Sequence, residues 1–151
     1  MPHSIERELG IAKPINSLAR ELSLNLFRTE QHLSAALDAV LRPSDLRLDE
    51  YNVLRILRGA GAEGRARVEI EQRMVHEPDR LLALLHKLKT KGLIEGSMRL
   101  TITAAGLTLL STLDAPFEGT IEKSIGWVDP ARLQTAIDVL EEIREHLQSA
   151  P

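Results

Sequence analysis

The sequence contains no cysteine, which removes disulfides, thiolate metal sites and thiol redox sensing together. Aromatic residues are few: one tryptophan, one tyrosine and two phenylalanines. Trp127 and Phe117 are the two that suggest the lining of a ligand cavity, although packing inside a core is the plainer role for both. No apolar run approaches membrane-spanning length, and the charged stretch from Met1 to Gly10 does not read as a signal peptide. The expectation is a cytoplasmic protein with no membrane partner. No glycine-rich loop links a strand to a helix, and no Ser-His-Asp set or paired carboxylates stand out, so an enzyme is not expected. The five histidines (His3, His32, His76, His86, His146) lack the i, i+4 spacing of a metal site and have no carboxylate in register. Neither a metal nor another cofactor is expected. An excess of positive charge is also missing, since the net charge is −3. Its distribution matters more than its sum. From Arg55 to Ile102 there are ten Lys/Arg and six Asp/Glu, a balance of +4, and the remainder of the chain carries −7. Clustered charge is what attracts phosphate.

What is present is an ordinary globular composition, 43% hydrophobic and 27% charged over 151 residues, enough for a single domain (1–151) with a real core. The stretch from Val68 to Glu95 organises it. Ile70 and Met74, four apart, share a helical face. Leu81, Leu84, Leu85 and Leu88 repeat the i, i+3, i+4, i+7 pattern of an amphipathic helix. Between them His76-Glu77-Pro78-Asp79 gives a corner, with Pro78 suited to the first helical position and Asp79 to the positive end of the dipole. Lys89, Lys91 and Gly92 close the second helix. Two short helices about a corner form a helix-turn-helix. The two strand-like runs around Gly96-Ser97 add a hairpin with almost no loop. The fold class is therefore mainly α with a small β-hairpin wing, a winged helix-turn-helix; the alternative is a small α+β domain whose hairpin only caps the core.

Met1 to Lys13 reads as a polar arm, either loose or holding one short helical turn. Pro14 starts a long helix through Arg42, striped by Leu18, Leu22, Leu26, Leu33, Leu37 and Leu41 and widened by Ile15, Phe27, Ala36 and Val40. Its length suggests a partner surface as well as a core; a long core helix in a monomer is the other reading. Pro43-Ser44-Asp45 breaks it, and Asp49 N-caps the next helix, which ends among Gly59, Gly61 and Gly64. Thr103 caps a further helix that Pro116 ends or kinks, with Phe117 to Ile125 as its continuation. Asp129-Pro130 opens the last helix, striped by Leu133, Ile137, Leu140, Ile143 and Leu147.

Four motifs run through the chain in order: Leu46-x-Leu48-x-x-x-x-Val53-Leu54-x-x-Leu57, Ile70-x-x-Arg73-Met74, Leu84-x-x-x-Leu88-x-x-Lys91-Gly92-Leu93-Ile94 and Leu100-Thr101-Ile102-Thr103-x-x-Gly106. In them the chain resembles the MarR (multiple antibiotic resistance regulator) family of bacterial winged-helix transcription factors. It implies a homodimer joined by N- and C-terminal dimerisation helices (14–42 and 104–148), a winged helix-turn-helix DNA-binding lobe (46–103), and a small-molecule effector bound between the lobes. The departures fall on the DNA-reading positions. Asp79, Arg80, Leu82 and Ala83 stand where the family usually has small hydroxylated residues and then a basic one, Glu71 and Val75 replace a frequent alanine and turn glycine, and the wing is short.

With the four leucines as the buried face of the recognition helix, the opposite face presents Asp79, Ala83, His86 and Thr90, flanked by Arg80 and Lys87. Arg80 can bond guanine bidentately, Asp79 can accept from cytosine, and Ala83 can touch a thymine methyl. Lys87, Lys89, Lys91 and Arg99 suit phosphate contacts, which position without specifying. Arg65 and Arg67, placed ahead of the first helix of the motif, reach for phosphate or serve only solubility. A solvated mixed-charge face is the competing reading throughout, and no residue is assigned to an effector. The function expected is that of a sequence-specific regulator of transcription, a repressor relieved by a small ligand. It would read a pseudo-palindromic operator in double-stranded DNA, with two recognition helices about one turn apart. The alternative is a winged-helix interaction protein that has lost DNA reading and holds a protein partner through Leu82 or the wing.

Overall fold

The computed structural model describes residues 4–76 and 80–151. Along the chain run α1 (Ile5–Glu8), α2 (Leu18–Leu41), a 3-10 turn (Arg42–Ser44), α3 (Leu48–Ala60), a second 3-10 turn (Gly61–Glu63), α4 (Arg67–Glu71), α5 (Leu81–Thr90), β1 (Ile94–Gly96), β2 (Leu100–Ile102), α6 (Ala104–Ile125) and α7 (Pro130–Ser149). The two strands form an antiparallel hairpin in which Ile94 faces Ile102, Glu95 faces Thr101 and Gly96 faces Leu100. Its turn is Ser97 to Arg99, so the wing is as short as the sequence suggests.

Several boundaries differ from the sequence reading, each for a local reason. The arm at the start is not loose over residues 4–13. Ile5 is buried, and the Glu6 carboxylate accepts the Ile15 N–H at 2.6 Å. That bond holds Ile15 outside the helix, and α2 begins at Leu18 rather than Pro14, where the Ser17 hydroxyl accepts from the Arg20 N–H at 3.3 Å. Asp49 is not the N-cap of α3. The helix starts two residues earlier than that cap would place it, at Leu48 after Arg47, and the N–H of Leu48 is satisfied by Asp38 across from α2 at 2.9 Å. Met74 lies beyond α4, which stops at Glu71, yet still packs against the core. Arg67 opens α4 rather than preceding it. Pro116 neither ends nor interrupts α6, which runs unbroken to Ile125. An interior proline costs roughly 3 kcal/mol, and the burial of Leu110, Leu113 and Phe117 along the same helix outweighs it. The corner proline Pro78 and Asp79 lie outside the described residues; α5 is entered through Arg80, which is non-helical at φ −141° and ψ 57°.

The core is continuous from Leu37 and Leu41 of α2 through Val53, Leu54 and Leu57 of α3, Ile70 of α4 and Leu81, Leu84, Leu85 and Leu88 of α5 to Phe117 of α6. The leucine stripe of α5 is thus buried as its spacing predicts. Each such side chain contributes about 1.5–3 kcal/mol on leaving water. The wing is hung on this core by backbone. Arg65 and Leu100 exchange both N–H···O bonds, at 2.9 and 2.8 Å, and Thr103 caps α6 through the Gly106 N–H at 3.1 Å.

The start of α2 and the whole of α7 are left uncovered. No residue of α7 is buried, and Leu18, Leu22 and Phe27 of α2 and Ile137, Val139 and Leu147 of α7 are exposed. Leu22 and Leu26 face Val139 and Leu140 across an open groove. Among the described residues no helix is long and apolar enough to cross a membrane.

Candidate nucleic-acid interface

α5 presents its outer face because its inner one is fully committed to leucine packing. Arg80, Ala83, His86, Lys87 and Lys89 are all exposed. A cleft of about 390 Å³ runs between this face and the start of α3, lined by Arg47, Asp49, Glu50, Arg80, Ala83, Leu84 and Lys87. Arg47 is a cation at the rim that the sequence reading does not single out. Asp79 lies outside the described residues.

The expected phosphate ligands divide sharply. Lys89 is exposed on the last turn of α5. Lys87 and Lys91 instead converge on Glu50, whose side chain is only 2% exposed; Lys87 Nζ stands 3.2 Å from Oε1 and Lys91 Nζ 3.0 Å from Oε2. Lys91 is held further by the Asp45 carboxylate at 3.3 Å and by the Asp45 carbonyl, and is 19% exposed, against 49% for Lys87. Lys91 is therefore internal, a strut between α5 and the turn after α2.

The wing cation is also engaged. Arg99 donates to the carbonyls of Glu63 and Gly64 at 2.9 and 3.1 Å, and its Nη1 lies 3.5 Å from Glu69. Arg65 is half-buried in the bridge to Leu100, whereas Arg67 is exposed. Glu69 accepts the Ala66 N–H at 2.7 Å, which lowers its pKa, helped by the positive charges of Arg99, Arg65 and Arg73.

A second feature lies behind the helix-turn-helix. A mainly apolar cavity of about 550 Å³ sits between α2, α3, α6 and the segment after α4. Tyr51 and Phe117 stack along one wall with ring centres 4.2 Å apart. Burial raises the Tyr51 pKa, while Arg58 donates to Asp114 at 2.6 and 3.1 Å and holds that carboxyl below its ordinary value. Met74, Val75 and His76 form the wall nearest the corner. The Val75 N–H is tied to Asn52 at 2.9 Å and His76 Nε2 lies 3.2 Å from Glu30 of α2. Of the two aromatics singled out in sequence, Phe117 lines this cavity; Trp127 is 78% exposed, with its ring N–H on the Ser124 carbonyl. Among the described residues no group of three or more His, Asp or Glu side chains is placed to hold a metal ion.

No family model and no curated protein matches the sequence. Solved structures match it closely in shape. A MarR family transcriptional regulator from Silicibacter pomeroyi superposes with a TM-score of 0.76 at 18% identity, covering 85% of this chain and 94% of that one. A MarR transcription factor from Planctomyces limnophilus reaches 0.65 at 27% identity, covering 91% and 100%. This chain has the MarR-family fold. A MarR family protein from Mycobacterium tuberculosis matches at 0.65 and 23% identity over 81% of this chain and 96% of its own; it has been solved with DNA and, separately, with salicylic acid. In that fold, α3, α4, α5 and the hairpin correspond in position to the winged helix-turn-helix, and α2, α6 and α7 to the terminal helices.

Proposed function

We propose that this chain is a homodimeric, sequence-specific DNA-binding regulator of transcription, a repressor released by a small ligand, and not an enzyme. The observation that carries the reading is the division of α5 into a leucine face locked in the core and an outer face that offers Arg80, Ala83, His86 and Lys87 to solvent beside a short wing. A rigid helix so mounted fits the major groove, where Arg80 and Ala83 contact base edges and Lys87, Lys89 and Arg67 contact phosphate. A second copy is needed to cover α7 and the start of α2 and to set two recognition helices against one operator. The domain division follows: residues 14–42 and 104–148 join the protomers, and 46–103 bind DNA.

The effector site is the 550 Å³ cavity, a volume suited to a small, largely apolar molecule. Its wall includes Met74 to His76, which precede α5 in the chain. A ligand that fits only one placement of that segment shifts the position of α5 and so the affinity for DNA. The Mycobacterium tuberculosis protein of the same fold, solved with DNA and separately with salicylic acid, supports both halves of this reading.

A second reading, a winged-helix protein that binds a protein partner and no longer reads DNA, is favoured by two observations. Leu82 is exposed on α5, and Lys91 and Arg99 are spent on internal contacts. Titration of the dimer with duplex DNA from around its own gene at several salt concentrations separates the two. DNA binding that weakens linearly in log salt supports the regulator; none at low salt supports the partner protein.

A further inference from the structure

Glu50 is a buried carboxylate with a cationic neighbour on each oxygen, at the floor of the cleft where α5 meets α3. Burying a carboxylate is costly unless it is fully paired. Lys91 alone would not satisfy both oxygens, and Lys87 supplies the second contact. The two lysines are four residues apart and share one side of α5, but their situations differ. Lys91 is enclosed and keeps the Asp45 carboxylate and carbonyl as further acceptors. Lys87 is half-exposed and, among the described residues, is paired with Glu50 alone. Its ammonium therefore lies on a boundary, with a protein carboxylate on one side and the open cleft on the other.

We propose that Glu50 is a positioning residue that holds Lys87 as an internal stand-in for a DNA phosphate, so that DNA must compete with Glu50 for this lysine. The proposal rests on the DNA-binding reading above and adds a control on it. While Lys87 is paired, α5 is strapped to α3 and its charge is largely cancelled, which suppresses binding to arbitrary sequence. On a duplex that seats the helix correctly, the ammonium rotates to phosphate while Lys91 remains on Glu50 and keeps the carboxylate paired. The lysine then contributes to correctly docked complexes more than to random encounters, although a phosphate contact by itself carries no sequence information.

The test is a salt titration of the full-length dimer on a scrambled duplex, with Glu50→Gln, Lys87→Gln and the double variant beside the wild type. Glu50→Gln keeps the shape of the side chain and leaves Lys91 its Asp45 partners. It is expected to tighten binding to the scrambled duplex and to steepen the log K against log salt slope by about 0.9 per subunit. Lys87→Gln alone is expected to change the scrambled-duplex slope by much less than that, and the double variant to return to the Lys87→Gln line. A slope unchanged or shallower in Glu50→Gln, or a full loss of about 0.9 per subunit in Lys87→Gln, overturns the proposal; the second criterion holds even if Glu50→Gln fails to fold. Wild type that binds no duplex while Glu50→Gln does would sink the regulator reading and uphold the masking of Lys87. If neither binds, both fail.

Discussion

Two cations on the same helical face, Arg80 and Lys87, have different surroundings and should fail differently when removed. Arg80 has no ion-pair partner among the described residues and stands at the entrance to α5, where the proposed function sets its guanidinium against base edges. Arg80→Ala is expected to cost roughly 1–3 kcal/mol per half-site on the operator and to relax one base position, read by titration against single-base operator variants. The Asp114 carboxyl gives a residue-scale prediction for stability. Its folded pKa lies below the unfolded one, first because Arg58 donates to it. Its contribution is therefore complete above the ordinary aspartate value and is lost as pH falls through the lowered one. Both side chains are about a third exposed, so solvent screening limits the contribution to about 1 kcal/mol. Asp114→Asn should lose that amount at neutral pH and flatten the acid side of a pH–melting curve; an unchanged curve would remove Asp114 from the account. Glu50 was partly legible. It stands three, four and seven residues before Val53, Leu54 and Leu57 and so falls on the buried face of α3. Its partners lie 37 and 41 residues away on α5, and no local pattern announces a contact of that separation.

At the scale of elements, the long periodic segments were readable and the joints were not. The leucine stripes of α2 and α5, the Thr103 cap and the Asp129-Pro130 start all appear where the pattern puts them. The starts of α2 and α3 shifted because Glu6 and Asp38, side chains from other elements, took up the backbone N–H groups that local capping rules assign to near neighbours. The wing depends on one glycine in particular. Gly64 has φ +64°, and a Cβ there would fall inside contact distance of the Leu100 carbonyl oxygen. Gly64→Ala should destabilise the fold by about 2–3 kcal/mol, seen as a lower denaturant midpoint with an unchanged slope; a neutral result would mean the Arg65–Leu100 bridge is dispensable. The groove of Leu22, Leu26, Val139 and Leu140 tests the role of the terminal helices. Val139→Arg places a charge in an apolar surface that a second copy is proposed to cover, and is expected to halve the mass seen by light scattering at micromolar concentration. A variant that stays at the wild-type mass would move the interface elsewhere.

For the whole molecule, the fold was visible in the sequence because the order of periodic segments, the corner and the hairpin admit few arrangements. The interface was less so. Which cations are free depends on tertiary pairing: Lys91 is enclosed against Glu50, and Arg99, though exposed, is tied to the Glu63 and Gly64 carbonyls and lies beside Glu69. Of the cavity behind the helix-turn-helix, the sequence suggested Phe117 but not the rest of the wall, which comes from four separated segments. The central claim is that the outer face of α5 reads DNA in a dimer. Its most direct measurement is binding of the wild-type protein to duplex DNA from around its own gene and to a scrambled duplex, each across a range of salt. The account predicts a dimer that binds both, prefers the former, and loses affinity linearly in log salt. A folded dimer that binds neither duplex above background at low salt would contradict it.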